Sequence, residues 1–187
     1  MTKKSNVRSY TDKAILKRVK ELPDYKIIPE GYWLAFVRSN EDEFDAFDDK
    51  AYLFKNESFV MVTTCTTNKG GFGSAVIKSD QWLYDGFING LHKGKMECLR
   101  QNKPFYFYRD KNGDKNTDEV GTLYLENIQV QFHGSTYHTG APVERDSIGR
   151  WSEGCIVANI NRDYERVIEL TRAQSLVSGV LLMEWDD

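Results

Sequence analysis

The sequence predicts a mainly β fold with peripheral helices, arranged as a mixed-sheet β-sandwich in one domain. Two observations carry that expectation. Segments such as 58–64, 105–109 and 128–133 are short, rich in β-branched or aromatic residues, and bounded by glycine or asparagine turns. Helical spacing is confined to a few stretches, and no repeat, low-complexity tract or Pro/Ser-rich linker divides the 187 residues.

Taken in order, Thr11 to Leu22 reads as an amphipathic helix. Thr11 or Asp12 caps its start, Ile15, Leu16, Val19 and Leu22 share a face, and Pro23 stops it. It belongs to a helical flank over 1–30. Gly31 to Arg38 reads as a buried strand, and the acidic run from Glu41 to Asp49 as a solvated loop. Ala51 to Lys55 and Ser58 to Thr64 read as strands. The loop Lys69 to Ser74 lacks the Gly-Lys-Ser/Thr ending of a phosphate cradle. Trp82, Leu83, Phe87 and Ile88 have helical spacing within 79–89, and His92 follows among lysines as a solvated histidine. Further strands are expected at Pro104 to Arg109, Gly121 to Leu125, Ile128 to His133, after Cys155, and at Gly179 to Trp185, with a helix from Asn161 to Ala173.

Composition excludes several function classes. A net charge of −3 gives no reason to expect nucleic acid or an anionic membrane as partner. The longest apolar run, Val180 to Met183, is far short of the roughly 20 residues of a membrane span. The basic N-terminus has no hydrophobic region behind it, so neither signal peptide nor transmembrane segment is visible. Cys65 and Cys98 read as small buried hydrophobes, and no Cys-x-x-Cys pair offers a zinc site. The oxygen-bearing side chains of Asp110, Asn112 and Asp114 alternate as in a calcium loop. Lys115 and Gly121 stand where that loop needs glycine and glutamate, and a polar hairpin turn accounts for the segment. No metal or cofactor is expected.

Chemistry concentrates at 128–160. Ile128 to His133 ends a strand on a histidine followed by Gly134, and Ser152-Glu153-Gly154-Cys155-Ile156 places a thiol directly before another. A cysteine nucleophile needs such a base, distant in sequence and adjacent in space. Taking the thiol proton, His133 forms a thiolate–imidazolium pair, its other ring nitrogen held by a carbonyl of Gly134–Ser135 or by the Ser135 hydroxyl. His138 is the second candidate base. Gly154 lets backbone N–H groups approach a developing oxyanion.

These residues resemble the signature of the L,D-transpeptidases, the YkuD-type catalytic domain: a histidine, a gap, then Ser/Thr-His-Gly-Cys and a hydrophobe. His133, Gly134, Ser152, Gly154, Cys155 and Ile156 match, whereas Glu153 replaces the second histidine and Val157 the usual Asn or Arg. The resemblance covers about the last third of the chain and is that of a divergent, phage- or gut-bacterium-like member. It implies a curled mixed-sheet sandwich with the site at one edge and, as catalytic residues, Cys155, His133, Gly154, Ser152 and Gly134. Arg150, Trp151, His138 and Glu153 fall to the substrate side. The implied reaction is acyl transfer from a peptidoglycan stem peptide through an acyl-Cys155 thioester. An amine then gives a crosslink, and water gives carboxypeptidase or endopeptidase action, at the cell wall. A non-catalytic wall-peptide-binding or structural module on the same fold is the alternative. Oligomeric state, acceptor and export route are left open.

Overall fold

The computed structural model describes residues 7–41, 43–111, 119–135, 145–149, 152 and 154–186. Two helices, α1 (Asp12–Lys20) and α2 (Asn161–Thr171), accompany eleven strands among these residues. The strands are β1 (Tyr32–Arg38), β2 (Asp49–Lys55), β3 (Ser58–Thr66), β4 (Ala75–Ile77), β5 (Gln81–His92), β6 (Met96–Gln101), β7 (Phe105–Arg109), β8 (Tyr124–Glu126), β9 (Gln131–Gly134), β10 (Ile156–Ala158) and β11 (Val177–Met183).

Eight of them close on themselves in the order β1-β11-β5-β6-β9-β10-β3-β2, a mixed barrel, while β4-β7-β8 form a separate small sheet. The expected sandwich is therefore wrong in architecture, although the chain is mainly β. The reason is physical. Alternation in a strand records which side chains point inward, and that pattern is shared by sandwiches and barrels. Closure depends on which strands pair. Three-residue β10 joins β9 in parallel to β3 in antiparallel, and β1 joins the last strand, β11, in parallel to β2 in antiparallel.

The barrel interior holds Leu34, Phe36, Leu53, Leu99, Phe132, Ile156 and Leu181. Alternate residues of β1 and β11, among them Trp33, Ala35, Val37, Val180 and Leu182, face outward against α1 through Ile15 and Val19. Covered on both faces, β1 reads as a continuous apolar run. Thr11 caps α1 by accepting from the Ala14 N–H at 3.1 Å, as its sequence predicts. Tyr164, Val167 and Ile168 of α2 join the barrel core, with Tyr164 edge-on to Phe132. The small sheet adds Ile77 and Phe105 to the same core.

The expected helix over 79–89 is strand β5. At Asp85, whose φ is +50°, and Gly86 the alternation slips: Val177 pairs with Phe87, but Gly179 pairs with Leu83. That bulge moves Phe87 onto the inner face beside Leu83, which mimics helical spacing in the sequence.

A buried polar network lies where β1 ends, β2 begins and β3 ends. Arg38 is fully buried; its Nε donates to Thr67 Oγ1 at 2.8 Å and its Nη1 pairs with Glu119 at 2.8 Å. Asp49, also fully buried, accepts from the Ser39 N–H, the Thr67 N–H and the Thr67 hydroxyl. Burial pushes the Asp49 carboxyl above its usual range, and Arg38 with these donors pulls it back. Glu119 also accepts from the Ser79 N–H, so the network ties the barrel to the segment behind β4. Asp49→Ala is expected to destabilise the protein by about 2–4 kcal/mol in urea unfolding, because it leaves the buried Ser39 N–H, Thr67 N–H and Thr67 hydroxyl without their acceptor. A loss under about 1 kcal/mol, ordinary for a single substitution, contradicts this assignment.

Candidate active site

The pairing of β9 with β10 builds the site. The register sets Ile156 beside Phe132 and Val157 beside His133. Phe132 and Ile156 point into the barrel, so Gln131, His133, Val157 and, one step before β10, Cys155 share the outer face. Cys155 is half-buried and packs with Phe47, Ile148 and Val157. It lies near Cys98 of β6.

His133 is 1% exposed. Its Nδ1 lies 2.9 Å from the Gly134 carbonyl oxygen, the kind of partner the sequence analysis expects. A carbonyl only accepts, so the ring proton sits on Nδ1 and the lone pair on Nε2. That Nε2 is buried and has no hydrogen-bond partner. Burial lowers the His133 pKa from 6.5 to about 4; the Gly134 bond opposes this, while His92 and Lys93 add to it. Its state at neutral pH is the free imidazole. The resting thiolate–imidazolium pair expected from the sequence is disfavoured on the His133 side, since the charge would sit in a desolvated pocket.

The turn before Cys155 is held locally. The Ser152 hydroxyl donates to the Cys155 carbonyl at 2.8 Å and accepts from the Gly154 N–H at 3.2 Å. Gly154 also has a packing reason to be glycine. Its φ is +140°, and a Cβ there would lie 2.8 Å from the Ala75 Cβ of β4. Gly134 is set by packing too: an added Cβ would meet Asn161 Oδ1 and Tyr164 Cδ1, each at 2.9 Å.

The described end of the connection from His133 to Cys155 is pinned on both sides. Asn159 accepts from the Arg145 N–H and donates to its carbonyl, and Asp45 Oδ1 accepts from the Ile148 and Gly149 N–H groups. Ser135 donates to the Asn159 carbonyl rather than to His133. His138, Arg150, Trp151 and Glu153 lie outside the described residues, as do Asn112 and Asp114 of the aspartate-rich turn. Asp110 of that turn accepts from the Gly71 N–H at 3.0 Å.

Sequence reasoning misplaced His92 and overlooked Gln131. His92 is buried rather than solvated, and its ring stacks on His133 with centroids 4.1 Å apart and planes 18° from parallel. Its Nδ1 lies 2.6 Å from Gln131 Oε1, which also accepts from the Cys98 thiol at 3.6 Å. Burial pushes the Cys98 thiol up to about 12, so it stays protonated. Gln131 was legible, since it alternates with His133 on one strand. His92 was hidden by its lysine neighbours and by the helical spacing of residues ahead of it.

Comparison with family models, with curated proteins and with solved structures finds no match. The likeness to L,D-transpeptidases therefore rests on the motif residues alone.

The depressed His133 pKa has a consequence for folding. The unfolded chain takes up the histidine proton near pH 6.5 and the folded chain only near 4, so stability is present above 6.5 and lost as pH falls towards 4. Over that interval the loss should be on the order of 3 kcal/mol. Comparing wild type with His133→Gln by urea unfolding at pH 7 and pH 4 isolates it. Equal pH slopes in the two proteins contradict the buried neutral imidazole.

Proposed function

We propose that the protein is a cysteine acyl-transfer enzyme acting on peptidoglycan stem peptides, with Cys155 as nucleophile and His133 as base. The observation that carries this reading is the shared outer face of β9 and β10, on which Cys155 and His133 stand in diagonal register, together with a buried His133 Nε2 that has no hydrogen-bond partner. The substrate class comes from the motif resemblance alone.

In the first half-reaction, His133 Nε2 takes the Cys155 thiol proton as the sulfur adds to the peptide carbonyl. The C–N bond then breaks, the leaving amine receives that proton from His133, and an acyl-Cys155 thioester remains. In the second, an amine or water gives a proton to Nε2 and attacks the thioester. The thiol is regenerated, and the product is a new amide or a free acid. A neutral base suits both halves. It accepts a proton on each attack and holds the imidazolium only while charge is developing on the substrate.

Cys155→Ala is expected to abolish turnover of purified stem-peptide fragments, followed by chromatography, while leaving the circular dichroism spectrum unchanged. His133→Ala should slow the acylation step by about two to four orders of magnitude, the usual share of general base catalysis. Turnover at the wild-type rate by a folded Cys155→Ala protein refutes the nucleophile assignment.

A further inference from the structure

We propose that His92 is a positioning residue for the Cys155–His133 pair: anchored by Gln131, its ring lies flat against His133 and holds that base in its catalytic orientation. The proposal rests on reading Cys155 and His133 as nucleophile and base, and adds a third residue from a distant strand.

Three observations converge. The rings are nearly parallel, 18° apart, with centroids at 4.1 Å, which leaves no room for water between their faces. His92 itself is fixed: Gln131 Oε1 can only accept, so His92 Nδ1 donates to it across 2.6 Å. That oxygen is steadied in turn by the Cys98 thiol. The chain Cys98–Gln131–His92 thus supports one face of His133, while the Gly134 carbonyl fixes its Nδ1 edge. Two constraints at different points of the ring define its plane and leave Nε2 as the sole acceptor. A base held this way loses little orientational freedom when the thiol proton is transferred.

The stack also acts on charge. An imidazolium at His133 would lie against the His92 ring, and His92 and Lys93 both weigh against it. Among the described residues, the other titratable groups near the rings are Cys98 and Arg100 on β6, Cys155 ahead of β10, and Tyr164 on α2. Burial pushes the Tyr164 hydroxyl well up, and it donates to the Glu97 carbonyl. Burial likewise keeps Cys98 protonated, and the Glu97 carboxylate is turned to Arg172. None of these described groups supplies a nearby anion to stabilise the imidazolium. Removing the His92 ring admits water to the exposed face of His133 and relieves its desolvation.

The test reads His133 directly, by ring nitrogen NMR across pH in the full chain. The wild-type His133 should titrate near 4 with its proton on Nδ1. In His92→Ala the midpoint should rise towards the ordinary histidine value of about 6.5 and the single tautomer should be lost. His92→Phe preserves a flat ring against His133, so the midpoint should stay low. The acid limb of acylation should move with the NMR midpoint in each variant. An unchanged His133 midpoint in His92→Ala overturns the proposal, and so does an equal rise in His92→Phe. Should His92→Ala fail to fold, Gln131→Leu removes the anchor and carries the same expectations, with the same overturning result. If the midpoint shifts as expected but Cys155 accepts no acyl group, the stack stands and the enzymatic reading falls.

Discussion

The parallel pairing of β9 with β10 is the constraint on which the rest depends. Parallel neighbours cannot be joined by a tight turn, so the chain must leave the barrel after Gly134 and return at Ile156. That detour sets Cys155 at the point of re-entry, before the first ladder pair. The register then decides everything local. With Phe132 and Ile156 inward, His133 and Cys155 are outward; a slip of one residue would bury the thiol in the core and break the pair. Tight packing on either side makes such a slip costly. Tyr164 and Asn161 close on Gly134 at one end of the pairing, and Ala75 closes on Gly154 at the other.

A second consequence follows from where the pair sits. His133 is on the outer face of the barrel yet almost wholly buried, with His92 stacked across one face of its ring. Burial of a base has opposing effects. It keeps the imidazole neutral and able to accept a proton at any pH above about 4, but it weakens the driving force for taking one. The polar network of Arg38, Asp49, Thr67 and Glu119 is a separate device that fixes the ends of β1, β2 and β3 around the same end of the barrel.

Much of the fold is legible in the sequence, though not its closure. The strand at β1, the capped helix α1 and the final helix α2 announce themselves through apolar runs and a threonine cap, since their packing is local in pattern. β6 went unseen: Met96 to Gln101 alternates weakly, with Glu97 and Arg100 exposed on an otherwise buried strand. β5 was misread because its bulge at Asp85 breaks the two-residue period. The candidate site is legible at Cys155, His133 and Gly134, where a motif names the residues. It is not legible at His92, whose role arises from a contact between strands separated by β6 in the barrel. Close packing of Gly154 on Ala75 is a further reason for glycine there, a contact with no trace in the local sequence.

Intact-protein mass measurement after incubation with purified peptidoglycan stem peptides tests the central claim most directly. A mass gain equal to the acyl portion of the donor, mapped by peptide digestion to Cys155 and released by a nucleophilic amine, is the predicted result. No adduct under conditions where the peptide is bound, or an adduct confined to Cys65 or Cys98, contradicts it.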